Sequence, residues 1–262
     1  MNSIFISGAA AGIGKATALK FLQQGWRVGA YDIDASALSQ LAAQVDANCA
    51  QQLITGTLDV TCASSWQIAL ADFTQHTSGQ LNLLFNNAGI LCSGSFKDIP
   101  LDVQQRLLNV NVQGVMLGCY LAQPFLQAAA QARPHNARVI NMSSASAIYG
   151  QPSLAAYAAS KFAVRGLTEA LDLEWQALGI QVMDIMPLFV NTTMVTDMQA
   201  NSIRRLGVRL NATQVADTVF KLSQYHGRRV HWPVGRQASL MLALSQFSPA
   251  WLTRLSNNWI AR

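Results

Sequence analysis

Hydrophobic positions along the 262-residue chain fall into two alternating kinds of segment. Short, nearly continuous apolar runs recur as SIFIS (3–7), WRVGAYD (26–32), QLITGTL (52–58), LNLLFNN (81–87), ARVINMS (137–143) and IQVMDIM (180–186), with RVHW (229–232) near the end. Runs that are apolar at consecutive positions suit strands buried on both faces of a parallel sheet. Between them lie amphipathic stretches near 13–25, 35–48, 62–77, 101–131, 153–178 and 213–226, which predict helices. This order reads as repeated βα units and predicts an α/β fold, a doubly wound parallel sheet in three α/β/α layers. No Pro/Gly/Ser tract or internal repeat divides the chain, so residues 1–262 are expected to form a single domain. Within it, residues 188–212 are expected on the substrate side and 247–262 as a helical tail.

Composition narrows the setting. Charged residues make up 12% of the chain and hydrophobic ones 51%, against about 25% charged in an average soluble protein. Such a surface calls for subunit contacts, and a homodimer or homotetramer is expected. No apolar run reaches the ~18 residues of a membrane span. The N-terminus MNSIFISGAA lacks the basic start and long apolar stretch of a secretory signal, so the expected location is cytoplasmic. Cys49, Cys62, Cys92 and Cys119 show no CxxC spacing and the four histidines form no ligand pair, which argues against a metal site. The net charge of +5 suits an anionic cofactor. Its densest part, SIRRLGVRL with Arg204, Arg205 and Arg209, reads as a solvated face and not as a nucleic-acid patch.

Two motifs carry chemistry. In SGAAAGIGKATAL (7–19), a glycine loop follows the first strand and opens the first helix. Gly8 permits a tight turn, Gly12 lets backbone approach a phosphate, and Gly14 allows close packing of helix on strand. The helix N-terminus then offers free N–H groups to a pyrophosphate. In AYAASKF (156–162), Tyr157 and Lys161 stand four residues apart among alanines, on one face of a helix. A free phenol has a pKa of about 10, and lowering it to about 7 takes roughly 4 kcal/mol, which a nearby cation can supply in a shielded site. The pair therefore reads as a tyrosine made to act as a base; a chance pair on a solvated helix is the alternative.

The GxxxGxG spacing, with Ser7 where threonine is usual, resembles the short-chain dehydrogenase/reductase family, whose fold is Rossmann-like. The likeness extends through NNAGI (86–90), NVNVQG (109–114), RVINMSSASAIYG (138–150) and YxxxK, covering roughly residues 3–192. It implies an oxidoreductase that moves a hydride between NAD(H) and a secondary alcohol or ketone. By this resemblance the catalytic residues are Asn111, Ser144, Tyr157 and Lys161. Asn111 holds a water, with Asn109 explained as packing. Ser144 stands 13 residues before Tyr157 and binds the substrate oxygen. Tyr157 is the acid/base, and Lys161 lowers its pKa and binds the nicotinamide ribose.

The cofactor contacts implied are Ser7, Gly8, Gly12, Ile13 and Gly14, then Asn87, Ala88 and Gly89, besides Tyr157 and Lys161. Asp59 and Val60 in LDV would meet the adenine, a helix cap being the other reading of Asp59. Pro187, Val190 and Thr192 in MPLFVNTTM would hold the nicotinamide amide, with Leu188 replacing the family's usual glycine. Asp32, at the end of the second strand, can accept hydrogen bonds from the adenosine ribose and repel a 2′-phosphate. Asp34 reads as a helix cap. NAD is therefore expected over NADP. A non-catalytic NAD-sensing protein is the rival, against which the complete set of four catalytic positions argues.

In the tail FSPAWLTRLSNNWIAR, Ser248 and Pro249 suit the start of a helix, and Phe247, Trp251, Leu255 and Trp259 form an aromatic-apolar stripe. Packing on the parent core is its first reading; a subunit contact, a lid or a membrane-surface helix are the others. With Leu188, Phe189, Met194 and Met198, it points to a hydrophobic substrate.

Overall fold

A computed structural model describes residues 1–192 and 207–249, together with positions 205, 251, 252, 254, 255 and 258. Seven parallel strands form the central sheet in the order β3-β2-β1-β4-β5-β6-β9. They are β1 (Ser3–Ser7), β2 (Arg27–Asp32), β3 (Leu53–Thr57), β4 (Leu83–Asn86), β5 (Ala137–Met142), β6 (Ile180–Pro187) and β9 (His231–Val234). A small separate pair, β7 (Val190–Asn191) with β8 (Leu210–Asn211), was not foreseen.

Alternation along the strands divides the core in two. Ile4, Ile6, Val28, Ala30, Phe85 and Ile140 face one way. They pack under α1 (Gly12–Gln23), α2 (Ala35–Ala43) and α8 (Ala212–Ser223). Phe5, Tyr31, Leu84, Val139 and Val182 face the other way. There they meet α4 (Ala63–Gln75), α6 (Gly114–Ala132) and α7 (Ala155–Trp175). This is the three-layer arrangement that the continuous apolar runs require. A four-residue helix α3 (Ala47–Ala50) leads into β3.

The predicted helix 101–131 is two helices, α5 (Leu101–Leu108) and α6, joined by a π turn at Asn109–Gln113. Asparagine and glycine weaken this part of the helix, and a single wide turn accommodates the extra residue. Asn109 is solvent-exposed, so the packing role expected for it is wrong. The LDV segment lies beyond β3, which ends at Thr57.

The helix α9 (Arg236–Phe247) follows β9 and was missed in the sequence. Its N-cap is Gly235, with no capping side chain, and its apolar residues show no clean period. Beyond it, Trp251, Leu252, Arg254, Leu255 and Asn258 are helical. Phe247 is 88% exposed, Trp251 64% and Leu255 58%, so the described part of the tail stripe does not pack on the parent core. Met194, Met198, Arg204, Trp259 and Arg262 lie outside the described residues. Among the described residues no helix is long and apolar enough to cross a membrane, and none form a cluster able to hold a metal ion.

Candidate active site

The sheet order reverses between β1 and β4, and a crevice opens there at the carboxyl ends of the strands. A cavity of about 360 Å³ runs along it. Its lining includes every cofactor and catalytic position expected from the sequence except Ser7, Gly14 and Asn111, which stand behind the wall.

Those three hold the wall in place. The Ser7 hydroxyl accepts the backbone N–H groups of Asn87 and Ala88, both at 3.2 Å. Asn87 Nδ2 returns bonds to the carbonyls of Ser7 and Gly8 at 3.2 and 2.7 Å. The NNAG loop and the glycine loop are thereby locked together. A Cβ on Gly14 would lie 2.0 Å from the Gly8 carbonyl oxygen, so no side chain fits where α1 meets its own loop. Asn111 is fully buried in the π turn. Its Oδ1 accepts from Ile90 N at 2.8 Å, and its Nδ2 donates to Ile90 O at 2.9 Å and to Ser160 Oγ at 3.2 Å.

At the glycine-loop end, Gly8 has φ +68° and a Cβ there would meet Ala88 Cα at 2.7 Å. The floor of the cavity is therefore bare backbone. Asp32 Oδ2 accepts from Ala10 N at 2.9 Å and Oδ1 from Asp34 N at 3.1 Å, so the carboxylate braces the loop it faces. Asp34 caps α2 through Ala37 N, as expected. Asp59 is not a helix cap: its Oδ1 accepts from Thr61 N and Thr61 Oγ1 at 2.9 and 2.7 Å, closing a turn before α4.

At the other end stand Ser144, Tyr157 and Lys161. Lys161 is 3% exposed, and its Nζ donates to the Met142 carbonyl at 2.8 Å. Nζ also lies 5.5 Å from the centre of the Tyr157 ring. Burial pushes the lysine pKa down to about 8. The Tyr157 pKa differs from the sequence expectation: burial raises it above the ordinary phenol value, and a hydrogen bond with Ser144 only partly offsets this. Desolvation is the larger effect, and the Lys161 ammonium, over the face of the ring, gives its hydrogen bond to Met142 and not to the phenol. Ser144 Oγ accepts from Ser146 N at 3.1 Å and donates to Pro187 O at 3.5 Å. Ser143, one residue off the family spacing, points its hydroxyl to the Lys161 backbone carbonyl at 3.4 Å.

Leu91, Ser146, Leu154, Leu188 and Phe189 complete this end. Leu91, Ser146 and Leu154 went unnoticed in the sequence, because nothing local distinguishes them from core residues. Arg106 on α5 also reaches the cavity; in the sequence it looks like any exposed helical arginine.

The fold, the glycine loop and the Ser–Tyr–Lys group agree with what the chain resembles. Over residues 2–203 it matches the short chain dehydrogenase family, and it belongs to that family. It is 36% identical over 190 residues to a 3-alpha-(or 20-beta)-hydroxysteroid dehydrogenase of Mycobacterium bovis, covering 72% of this chain and 69% of that one. A cyclohexanol dehydrogenase of an Acinetobacter species is 29% identical over 206 residues, 77% of this chain and 78% of the relative. Among solved structures, a short chain dehydrogenase/reductase from Burkholderia phymatum in complex with NAD superposes with a TM-score of 0.80 at 25% identity, covering 93% and 92% of the two chains.

Proposed function

We propose that this enzyme moves a hydride between NAD(H) and a hydrophobic secondary alcohol or ketone. The observation that carries the reading is the single cavity joining the glycine loop and Asp32 to Ser144, Tyr157 and Lys161. The cradle fits a dinucleotide, since its floor tolerates no side chain at Gly8 and the N-terminus of α1 opens onto it. Gly8, Gly12, Ile13, Asn87, Ala88 and Gly89 would lie along the phosphates and riboses. Asp32 would take the adenosine ribose, Asp59 and Val60 the adenine, and Pro187, Val190 and Thr192 the nicotinamide. The nicotinamide, when bound, accepts or gives the hydride.

The chain's own residues do the rest. Tyr157 removes the proton of the substrate hydroxyl, or returns it in the reverse direction. Ser144 hydrogen-bonds the substrate oxygen and stabilises the charge that develops there. Lys161 provides the positive charge behind Tyr157 and contacts a ribose hydroxyl. The Asn111 side chain is committed to Ile90 and Ser160, so we assign its backbone carbonyl, in the wide turn, to a water leading from Lys161 to solvent. Cytoplasmic location and a homodimer or homotetramer complete the proposal.

Leu91, Leu154, Leu188 and Phe189 give the substrate end an apolar wall, which supports the hydrophobic preference. The named relatives are a hydroxysteroid dehydrogenase and a cyclohexanol dehydrogenase, whose named substrates are largely hydrocarbon. The test is a panel of cyclic and open-chain secondary alcohols with NAD, followed by the absorbance of reduced cofactor. Turnover that disappears in Tyr157→Phe, with NADH affinity held within a few-fold, is the expected result. Binding of NADH with no turnover of any alcohol or ketone would favour the sensing protein instead.

A further inference from the structure

The wall of the cavity near Ser144 carries a hydroxyl, that of Ser146, that hydride transfer does not require. Ser146 lies in the short turn Ala145–Ala147, two residues beyond Ser144, and faces the cavity. Its neighbours Ala145 and Ala147 are both fully buried, so the local packing accepts a methyl side chain at adjacent positions. Ser146 nonetheless carries a hydroxyl, 5% exposed, which donates to Gln151 Oε1 at 3.0 Å. Gln151 is itself 4% exposed. A buried amide and hydroxyl in an apolar wall are retained at a cost unless they are paired, and here they are paired.

The pairing determines what the hydroxyl can offer a ligand. Its proton is directed at Gln151, so toward the cavity Ser146 presents lone pairs. Its backbone N–H is also engaged, by Ser144 Oγ at 3.1 Å. The two serines thus differ in kind. Ser144, with Tyr157, meets the reacting oxygen, whereas Ser146 is an acceptor set one short step along the same wall.

We propose that Ser146, oriented by Gln151, accepts a hydrogen bond from a second hydroxyl of the substrate, so that the preferred substrates are cyclic diols. This rests on the oxidoreductase reading above. A second group that only accepts, such as an ether or ketone oxygen, meets lone pairs on lone pairs and gains nothing. Ser146 is a specificity residue, and Gln151 is a positioning residue acting through it.

The experiment compares cyclohexanol, a cyclohexanediol and the monomethyl ether of that diol as substrates of the wild type and of Ser146→Ala. Wild type is expected to show kcat/KM higher for the diol than for cyclohexanol by roughly tenfold to a hundredfold, with the ether no better than cyclohexanol. Ser146→Ala should remove that advantage and leave cyclohexanol within a few-fold. Gln151→Leu should reduce the advantage too, by freeing the serine rotor. An equal loss for both alcohols in Ser146→Ala would mean that the serine only staples the loop, and overturns the proposal. Equal wild-type rates for diol and ether, or turnover of other secondary alcohols with none of the diol, overturn it as well. A wild type that oxidises no secondary alcohol at all fails the reading of function itself, and the diol inference with it.

Discussion

The Lys161 ammonium donates to the carbonyl of Met142 at 2.8 Å, tying the first half of α7 to the last residue of β5. This bond holds the cation beside the Tyr157 ring and at the cavity wall at once. Lys161→Ala should therefore lower turnover by roughly a hundredfold or more and weaken NADH binding. Because burial brings the lysine pKa down to about 8, NADH affinity of the wild type should fall as pH rises through that value. A fluorescence titration across the range checks it, and Lys161→Ala should show no such decline.

Asp32 serves two ends, the loop amide of Ala10 and the open cavity. NADH is expected to bind more tightly than NADPH. Asp32→Ala should narrow the difference by removing the charge that repels a 2′-phosphate, and should weaken NADH because the loop loses its brace. Tighter binding of NADPH by the wild type would show that the carboxylate has another role.

Gly14→Ala tests the loop by packing alone. The added methyl would lie 2.0 Å from the Gly8 carbonyl oxygen and 2.9 Å from Ala9 Cα, both backbone atoms. Relief requires moving the loop off α1, at a cost of about 2 kcal/mol or more. The expected outcome is a clear drop in Tm and loss of NADH binding; a variant of unchanged Tm would contradict the observed packing.

His231 joins β9 to the strand and helix beside it. Its Nδ1 lies 2.9 Å from Asp184 Oδ2 and its Nε2 2.7 Å from Glu169 Oε1, with Arg165 on the far side of that glutamate at 3.1 Å. Burial alone would lower the histidine pKa, but Asp184 and Glu169 outweigh it and the net shift is upward. Burial likewise raises Asp184, with His231 offsetting part of the effect. A base with a raised folded pKa stabilises fully below its unfolded value, about 6.5, and loses that contribution as pH rises through the folded value. Thermal unfolding from about pH 6 to about pH 8, below the range where buried Lys161 adds a pH dependence of the opposite sign, should show Tm declining. His231→Gln should be less stable at the acid end and flatter across the range.

Assembly is expected through the faces of α5, α6 and α7. Leu101 is 70% exposed, Tyr120 78% and Leu173 75%, with Met116 and Phe162 also exposed. Light scattering should give a dimer or tetramer, and Tyr120→Glu with Leu173→Glu should shift it toward the monomer. A wild-type species of 28.4 kDa at micromolar concentration would refute the assembly.

Much of this protein was legible before any tertiary contact was known. The strands announce themselves because a sheet covered on both faces needs apolar residues at consecutive positions. The glycine loop and the Tyr157–Lys161 pair are equally local, the first a turn within a few residues and the second one turn of a helix. Other features depend on residues far apart in the chain. No neighbour of Ser7 reveals that its hydroxyl takes the amides of Asn87 and Ala88. The Asp184–His231–Glu169 chain forms only because β9 is the last strand, laid against β6. Tyr157 shows the same division: its position follows from spacing, but its raised pKa follows from burial, to which distant elements contribute. The tail stripe, exposed at Phe247, Trp251 and Leu255, has a helical period that sequence displays well, yet which way such a stripe faces depends on the surfaces around it. Period, turn chemistry and i to i+4 neighbours are fixed by the order of residues along the chain. Burial, long-range hydrogen bonds and the polarity of the cavity wall arise only when separate segments exclude water together.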